Sequence, residues 1–206
     1  MAKHDVLRIK RHFRKADPVI YAAIKKTGWR PLPKREDPKR YFAKLCREII
    51  SQQLAGKAAE AIVGRFEELL HGRVTPARVL ARTEQELRNI GMSWAKARYV
   101  RDLAAKVRGR KVLLGKLHEL PDEAVITELT KVVGIGRWTA EMFLIFTLGR
   151  EDVFSHGDLG LRKGFMRLYP LKLMHTKKAM DKIVARWMPF RSHASLALWQ
   201  VLDSDL

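Results

Sequence analysis

The stretch KVVGIGRWTAEMF, residues 131–143, places a Gly-x-Gly turn directly before a helix with almost no polar face. It is followed by VFSHGDLG, residues 153–160, in which Asp158 stands among glycines. Glycine permits a sharp turn and leaves backbone N–H groups unobstructed, and a helix N-terminus favours an anion. Gly134 and Gly136 therefore predict a hairpin that grips nucleic-acid phosphates, with an ordinary helix–helix turn as the alternative. The pattern is not a Rossmann turn, because no strand precedes it and no third glycine follows.

The composition predicts a folded protein with a polyanionic partner. Of the 206 residues, 47% are hydrophobic, which is enough for a real core and argues against disorder. Lys and Arg number 41 against 22 acidic residues, so the net charge is +19. Such an excess favours nucleic acid over an anionic membrane as the partner. A protein that merely tolerates a basic surface is the alternative.

The positive charge is concentrated in three regions of the chain. Residues 1–40 hold 13 Lys or Arg and four acids, residues 96–111 hold seven and one, and residues 161–193 hold nine and one. A solvated face is the usual explanation for any one such region. The three together favour a groove that binds a nucleic-acid backbone.

Cysteine content and hydropathy limit the classes of protein to which the chain can belong. Cys46 is the only cysteine, so an intrachain disulfide and a four-cysteine zinc or iron–sulfur site are excluded. Its place in an apolar stripe favours a core residue over a nucleophile. The basic N-terminus lacks the apolar run of a secretory signal, and no segment is long enough to span a bilayer. We expect an intracellular protein, cytoplasmic or associated with the nucleoid, without a membrane partner.

Apolar residues at helical spacing recur along the chain. One helix ends at Gly28, and the proline-rich residues 29–40 predict an exposed connection. Thr83 and Glu86 form the pattern of a capping box, and Ser93 precedes a long basic helix. No alternating strand pattern is evident, so the sequence predicts an all-α fold of roughly ten helices.

The later segments complete this prediction. The hairpin occupies about residues 122–148, its second helix spans 137–148, and two further helices follow at 176–188 and 190–202. Without a long linker, residues 1–206 are expected to form a single compact helical domain with two lobes and no additional N-terminal β domain.

Four stretches together resemble one protein family. They are LTKVVGIGRWTAEMFLIFTLGREDVFSHGDLGLRKG at 129–164, YFAKLCREIISQQLAGKAAEAI at 41–62, IGMSWAKARYVRDLA at 90–104 and PFRSHASLALW at 189–199. The first resembles the helix–hairpin–helix plus Gly/Pro…Asp signature of the base-excision DNA glycosylase superfamily. Within it the chain is most similar to the AlkA-like 3-methyladenine DNA glycosylases, over roughly residues 17–203.

The resemblance implies a two-lobed helix–hairpin–helix glycosylase fold with the active-site cleft between the lobes. The implied function is monofunctional: a monomer flips alkylated bases such as 3-methyladenine and 7-methylguanine out of double-stranded DNA and leaves an abasic site. Two alternatives stay open. The same fold could act on hypoxanthine, uracil or an oxidised purine, or the protein could be a non-catalytic module that binds damaged DNA.

The resemblance assigns the catalytic aspartate to Asp158. Breaking an N-glycosidic bond builds positive charge on the sugar, and a carboxylate fixed in advance stabilises that charge. An alkylated purine is already cationic and leaves without needing a strong acid. The alternative for Asp158 is the N-cap of the helix that follows it, and the two roles are compatible.

Trp138 bears on strand cleavage. Bifunctional relatives place a nucleophilic lysine at this position, and an indole cannot attack the sugar. The resemblance therefore implies base release without lyase activity. The alternative for Trp138 is a core tryptophan.

The resemblance also supplies candidates for the remaining roles. In the family, a residue of the joint that matches SQQLAG refills the space left by the extruded base, and the match is Gln53, with Gln52 and Leu54 as near rivals. The alternative for this joint is a polar helix C-terminus that faces water. Electron-rich rings stack well on a methylated base. The candidate base-pocket residues are Trp138, Trp199, Met142 and Trp29, and the candidate DNA-backbone residues are Gly134, Ile135, Gly136, Arg137 and Thr139.

Two departures from the family pattern concern substrate range. Met142 stands where an AlkA-like enzyme carries a tyrosine, and the stretch FSH at 154–156 stands where relatives often have a proline after the phenylalanine. His156 is a candidate to contact a phosphate or to influence Asp158, with an exposed loop histidine as the alternative. No cofactor, metal or iron–sulfur cluster is expected, apart from a monovalent cation that family precedent allows at the hairpin.

Overall fold

The computed structural model describes residues 3–169 and 177–204, and within these ranges the chain is helical and contains no β-strand. The all-α prediction is confirmed. The helices are α1 (Lys3–Ala16), α2 (Pro18–Thr27), α3 (Tyr41–Ser51), α4 (Gly56–Leu69), α5 (Pro76–Leu80), α6 (Glu84–Asn89), α7 (Trp94–Arg108), α8 (Asp122–Leu129), α9 (Arg137–Phe146), α10 (Leu159–Leu168), α11 (Lys177–Ala185) and α12 (Arg191–Asp203). Short 3₁₀ helices lie at Pro38–Arg40 and Leu114–Glu119.

The described residues hold twelve α-helices, where the sequence predicted roughly ten. Among the unpredicted ones is α1, whose cations obscure an apolar stripe that includes the fully buried Ile9 and Phe13. Helix α9 ends at Phe146, two residues before the predicted end. The predicted helix start at Thr176 lies outside the described residues.

The predicted helix termini are confirmed by their capping bonds. Thr83 accepts from the backbone N–H of Glu86, whose carboxylate accepts in return from the N–H of Thr83. Ser93 caps α7 by accepting from the N–H of Lys96. Gly28 ends α2 with a φ of 85°, which favours glycine.

The chain divides into two compact units. The terminal unit comprises Met1–Arg35 and Leu144–Leu206, and the central unit comprises Glu36–Phe143. The 1–206 single-domain prediction with two lobes stays a prediction, and each unit is described by itself below.

The core of the terminal unit is formed by apolar residues of α1, α2 and α10–α12, with Trp187 and Phe165 fully buried. Asp17 ties these elements together. It caps α2 by accepting from the N–H groups of Val19 and Ile20. Its other carboxylate oxygen accepts from the hydroxyl of Tyr169 (2.7 Å) and the indole of Trp187 (2.8 Å). Because all these groups are satisfied, the buried acid stabilises the unit.

The central unit is organised around α7, which packs against α3, α5 and α6. Tyr41 and Phe143 meet edge to face in its interior, with ring centroids 5.4 Å apart. Cys46 is fully buried there, and burial raises the pKa of its thiol. Its predicted place in the core is confirmed. No helix in the described parts of the chain is long and apolar enough to cross a membrane.

Candidate active site

The predicted hairpin lies between α8 and α9, in the central unit. Gly134 has a φ of 87°, and a Cβ there would lie 2.1 Å from the ring of Tyr99. No other residue fits, because both the backbone conformation and the contact require glycine. Gly136 differs: it is exposed and faces open space, so its backbone stays accessible.

Two side chains of α7 hydrogen-bond to the backbone of the hairpin. Asp102 accepts from the backbone N–H of Val133 (2.8 Å) and from Nζ of Lys106 (2.7 Å), and the same Nζ donates to the carbonyl of Lys131 (2.7 Å). Ile135, a predicted backbone-contact residue, has its side chain buried. Hydrogen bonds from α7 therefore fix the backbone of the hairpin.

Gln52 joins the hairpin to the turn after α3. Its Nε2 donates to the carbonyl of Gly134 (2.9 Å) and to Oγ1 of Thr139 (3.3 Å). The side chain of Thr139 is buried and supports the hairpin. Its predicted contact with the DNA backbone stays a prediction. Gln52 was also a rival for the intercalating residue, and its amide is already used inside the protein.

The turn presents its next two residues to solvent. Gln53 has a φ of 57° and is exposed, and Leu54 is 38% exposed, high for a leucine. Lys96 holds the turn by donating from Nζ to the carbonyls of Ile50 (2.8 Å) and Gln52 (2.6 Å). Burial lowers the pKa of Lys96. Gln53 and Leu54 are therefore the side chains of this joint that are free to project outward.

Arg137 is the first residue of α9, and its guanidinium forms ion pairs with two carboxylates. Nε donates to Glu141 (2.9 Å), and the terminal nitrogens bond both oxygens of Glu123, one of them at 3.0 Å. These hydrogen bonds raise the pKa of Arg137 and lower that of Glu123. Glu123 is itself exposed.

Two candidate pocket residues lie on α9 with opposite exposure. Trp138 is 43% exposed, so the alternative of a core tryptophan is wrong. Met142 is 5% exposed and belongs to the packed side of the helix. The predicted pocket roles of both residues stay predictions.

Asp158 lies in the terminal unit as the N-cap of α10, as the alternative from sequence anticipated. Its Oδ1 accepts from the backbone N–H of Leu161 (2.7 Å) and from the indole Nε1 of Trp199 (3.1 Å). The residue is 7% exposed. A Cβ at Gly160 would lie 3.0 Å from both Asp158 and Trp199, so glycine there leaves room for the pair.

Trp199 reaches this acid from α12. The indole packs on Phe146 with ring centroids 5.5 Å apart and stays half-buried. Sequence reasoning proposed Trp199 only as a stacking surface and missed its bond to Asp158. No local signal predicts that bond, because 41 residues separate the two.

Trp29 and His156 have other neighbours in the same unit. Trp29 stacks on His193, with centroids 5.2 Å apart and planes at 22°. His156 lies with Nδ1 3.5 Å from a carboxylate oxygen of Asp181 and packs edge-on against Phe154. The proposed pocket role of Trp29 and the proposed phosphate contact of His156 stay predictions.

A family comparison identifies the class of protein to which the hairpin, the turn and the capped acid belong. The chain belongs to the HhH-GPD superfamily of base excision DNA repair proteins, which it matches over residues 46–190. The resemblance inferred from sequence is thereby confirmed.

Individual relatives agree with this family. The chain is 35% identical over 167 residues to DNA-3-methyladenine glycosylase 1 of Schizosaccharomyces pombe, covering 80% of this chain and 73% of that protein. The crystal structure of a DNA-3-methyladenine glycosidase from Bacillus halodurans superposes with a TM-score of 0.80 at 35% identity, covering 93% and 87% of the two chains.

A second solved structure contains a nucleic acid. The 3-methyladenine DNA glycosylase of S. pombe in complex with abasic DNA has a TM-score of 0.78 at 31% identity, covering 96% of this chain and 98% of that one. A further relative, from Bacillus subtilis, is matched over only 56% of its length.

Proposed function

We propose that the protein is a monofunctional DNA glycosylase that removes alkylated purines, such as 3-methyladenine and 7-methylguanine, from double-stranded DNA. The observation that carries this proposal is Asp158, a nearly buried carboxylate fixed by the N–H of Leu161 and the indole of Trp199. The names of the relatives support alkylated bases as the substrate.

The reaction replaces the bond between base and sugar with a bond to water. As the base departs with the bonding electrons, positive charge develops at C1′ and the ring oxygen of the sugar. The carboxylate of Asp158 stabilises that charge, and its fixed orientation removes the cost of reorganising at the moment of reaction. Water adds to C1′ and loses a proton to solvent. The alkylated base was cationic and leaves neutral, so no protein acid has to protonate it.

The enzyme can reach the N-glycosidic bond only when the target nucleotide leaves the DNA duplex. In this proposal, the exposed turn supplies Gln53 or Leu54 to fill the space, and the hairpin binds the backbone through Gly134, Gly136 and the first turn of α9. The negative phosphates would meet the positive end of the helix dipole at the N-terminus of α9.

The proposal includes no lyase step and no cofactor. Trp138 follows Arg137 at the start of α9, and an indole has no amine to form a Schiff base. The single cysteine cannot hold an iron–sulfur cluster. A monovalent cation at the hairpin stays a prediction; the carbonyl of Gly134 already accepts a bond from Gln52. We propose a monomer that acts inside the cell, on the nucleoid.

Base release from defined duplexes tests this function. Duplexes carrying 7-methylguanine, 3-methyladenine, hypoxanthine, uracil or 8-oxoguanine are incubated with excess protein, and the free bases are separated by chromatography. We expect release of methylpurines, with strands that stay intact until alkali is added.

The other outcomes are equally informative. Release of only hypoxanthine, uracil or 8-oxoguanine would contradict the lesion class while keeping the fold and the acid. Nicked strands without alkali would contradict the monofunctional assignment. Tight binding without release of any base would favour the non-catalytic module.

A further inference from the structure

We propose that Gln52 is a positioning residue that holds the intercalating turn in register with the phosphate-binding hairpin. The inference rests on the proposed function. It adds a role for Gln52, which the sequence offered only as a rival candidate for the residue that fills the space left by the extruded base. Its basis is the pair of hydrogen bonds that Gln52 makes to Gly134 and Thr139.

The chemistry of the bonds fixes the orientation of the amide. The carbonyl of Gly134 can only accept, so the group that faces it must be the NH₂ of Gln52. The same NH₂ has a second hydrogen, which the hydroxyl of Thr139 accepts at 3.3 Å. One side chain therefore bridges the tip of the hairpin and the first turn of α9.

The backbone of Gln52 is anchored separately. Its carbonyl accepts from Nζ of Lys96 at 2.6 Å, and Lys96 also bonds the carbonyl of Ile50. Gln53, the next residue, is exposed in a left-handed conformation. Because Gln52 is fixed at both its backbone and its side chain, the direction in which Gln53 and Leu54 leave the turn is also fixed.

This connection has a consequence for catalysis. The hairpin determines where the DNA backbone is held, and the turn determines where the gap in the base stack is filled. A shift of about 1 Å between such groups can cost about 100-fold in rate. Gln52 should therefore affect base extrusion and release more than the affinity for undamaged duplex.

The test uses variants that keep the volume of Gln52 and remove its donors. Gln52→Met has no polar donor, and Gln52→Glu places an acceptor against the carbonyl of Gly134. Gln85→Ala is the matched control, because Gln85 is exposed and bonds only within α6, to Asn89. Thermal unfolding by circular dichroism confirms that each protein is folded.

The main readout is single-turnover base release from paired duplex. We expect the maximal rate constant to fall at least about tenfold in both Gln52 variants, while the half-saturating DNA concentration changes less than about threefold. In a Gln53→Ala/Leu54→Ala background, Gln52→Met should have little further effect, because coupled residues are non-additive.

A second readout does not depend on catalysis. The fluorescence of 2-aminopurine placed opposite an abasic analogue reports insertion of the turn into the stack, and it should fall in the Gln52 variants but not in Gln85→Ala. Wild-type rates and fluorescence in both Gln52 variants would overturn the inference while leaving the proposed function intact. If wild type released no base, the proposed function would fail, and the fluorescence would still decide the role of Gln52.

Discussion

At the scale of single residues, Asp158 has the N-cap role that the sequence offered beside the catalytic one, and its catalytic role stays a prediction. The N-cap bond to Leu161 fixes the carboxylate, and the indole of Trp199 fixes it from a second direction. Negative charge at a helix N-terminus is stabilised by the helix dipole. The structural role therefore prepares the carboxylate for the proposed chemical one.

The bond from Trp199 can be removed without removing the ring. We expect Trp199→Phe to keep the packing against Phe146 and to slow single-turnover base release about tenfold or more, since a hydrogen bond to a charged group contributes roughly 1.5–3 kcal/mol. The matched control is Trp94→Phe, in which an exposed tryptophan of the central unit is changed. A rate equal to wild type in Trp199→Phe would show that the indole bond does not prepare the acid.

At the scale of elements, the hairpin depends on its contact with α7. Gly134 approaches Tyr99 so closely that a methyl group cannot fit, and its φ of 87° disfavours any other residue. We expect Gly134→Ala to lower the free energy of unfolding by about 1–3 kcal/mol. Gly136→Ala should change it by less than about 0.5 kcal/mol, because that glycine faces open space.

Denaturant unfolding of the two alanine variants measures this difference, and their duplex binding is compared alongside. We expect weaker DNA binding in both, since each alanine alters the backbone that the phosphates approach. Equal stability of Gly134→Ala and wild type would contradict the described packing of hairpin on α7.

The sequence predicted the elements better than their connections. Local signals such as the Thr83 capping box, Ser93 and Gly28 were sufficient, because a cap depends on residues a few positions apart. Helix α1 was missed because its cations outnumber the two buried residues, Ile9 and Phe13.

The links that shape the candidate site were not predictable in this way. Gln52 bonds Gly134 across 82 residues and Trp199 bonds Asp158 across 41. Long-range hydrogen bonds depend on tertiary packing and leave no periodic signal in a single sequence. Motif resemblance identified the participants, and only the structure identified their contacts.

At the scale of the whole molecule, the net charge of +19 predicts strongly salt-dependent binding. Binding to undamaged duplex should weaken steeply with salt, with a slope of log K against log salt of about −0.9 for each phosphate neutralised. The basic region 161–193 is only partly described, because residues 170–176 lie outside the described ranges.

Double substitutions that remove two positive charges at a time test whether the separate basic regions bind DNA. Arg11→Gln/Arg14→Gln and Arg162→Gln/Lys163→Gln remove exposed charges from the first and third regions. We expect each pair to reduce the magnitude of the slope by about one to two, measured by fluorescence anisotropy between 50 and 300 mM salt. If the slope of log K against log salt were unchanged in both double variants, these residues would belong to solvated faces that do not contact DNA.

The catalytic role of Asp158 is tested by comparing wild type with Asp158→Asn in single-turnover release of 7-methylguanine from duplex DNA. Asparagine caps a helix as well as aspartate does, so the variant removes the charge and keeps the fold; Asp37→Asn, at an exposed cap, is the control. We predict a fall of about 100- to 1,000-fold with duplex affinity within about threefold of wild type. Release by Asp158→Asn at the wild-type rate would contradict the assignment of Asp158 as the catalytic carboxylate.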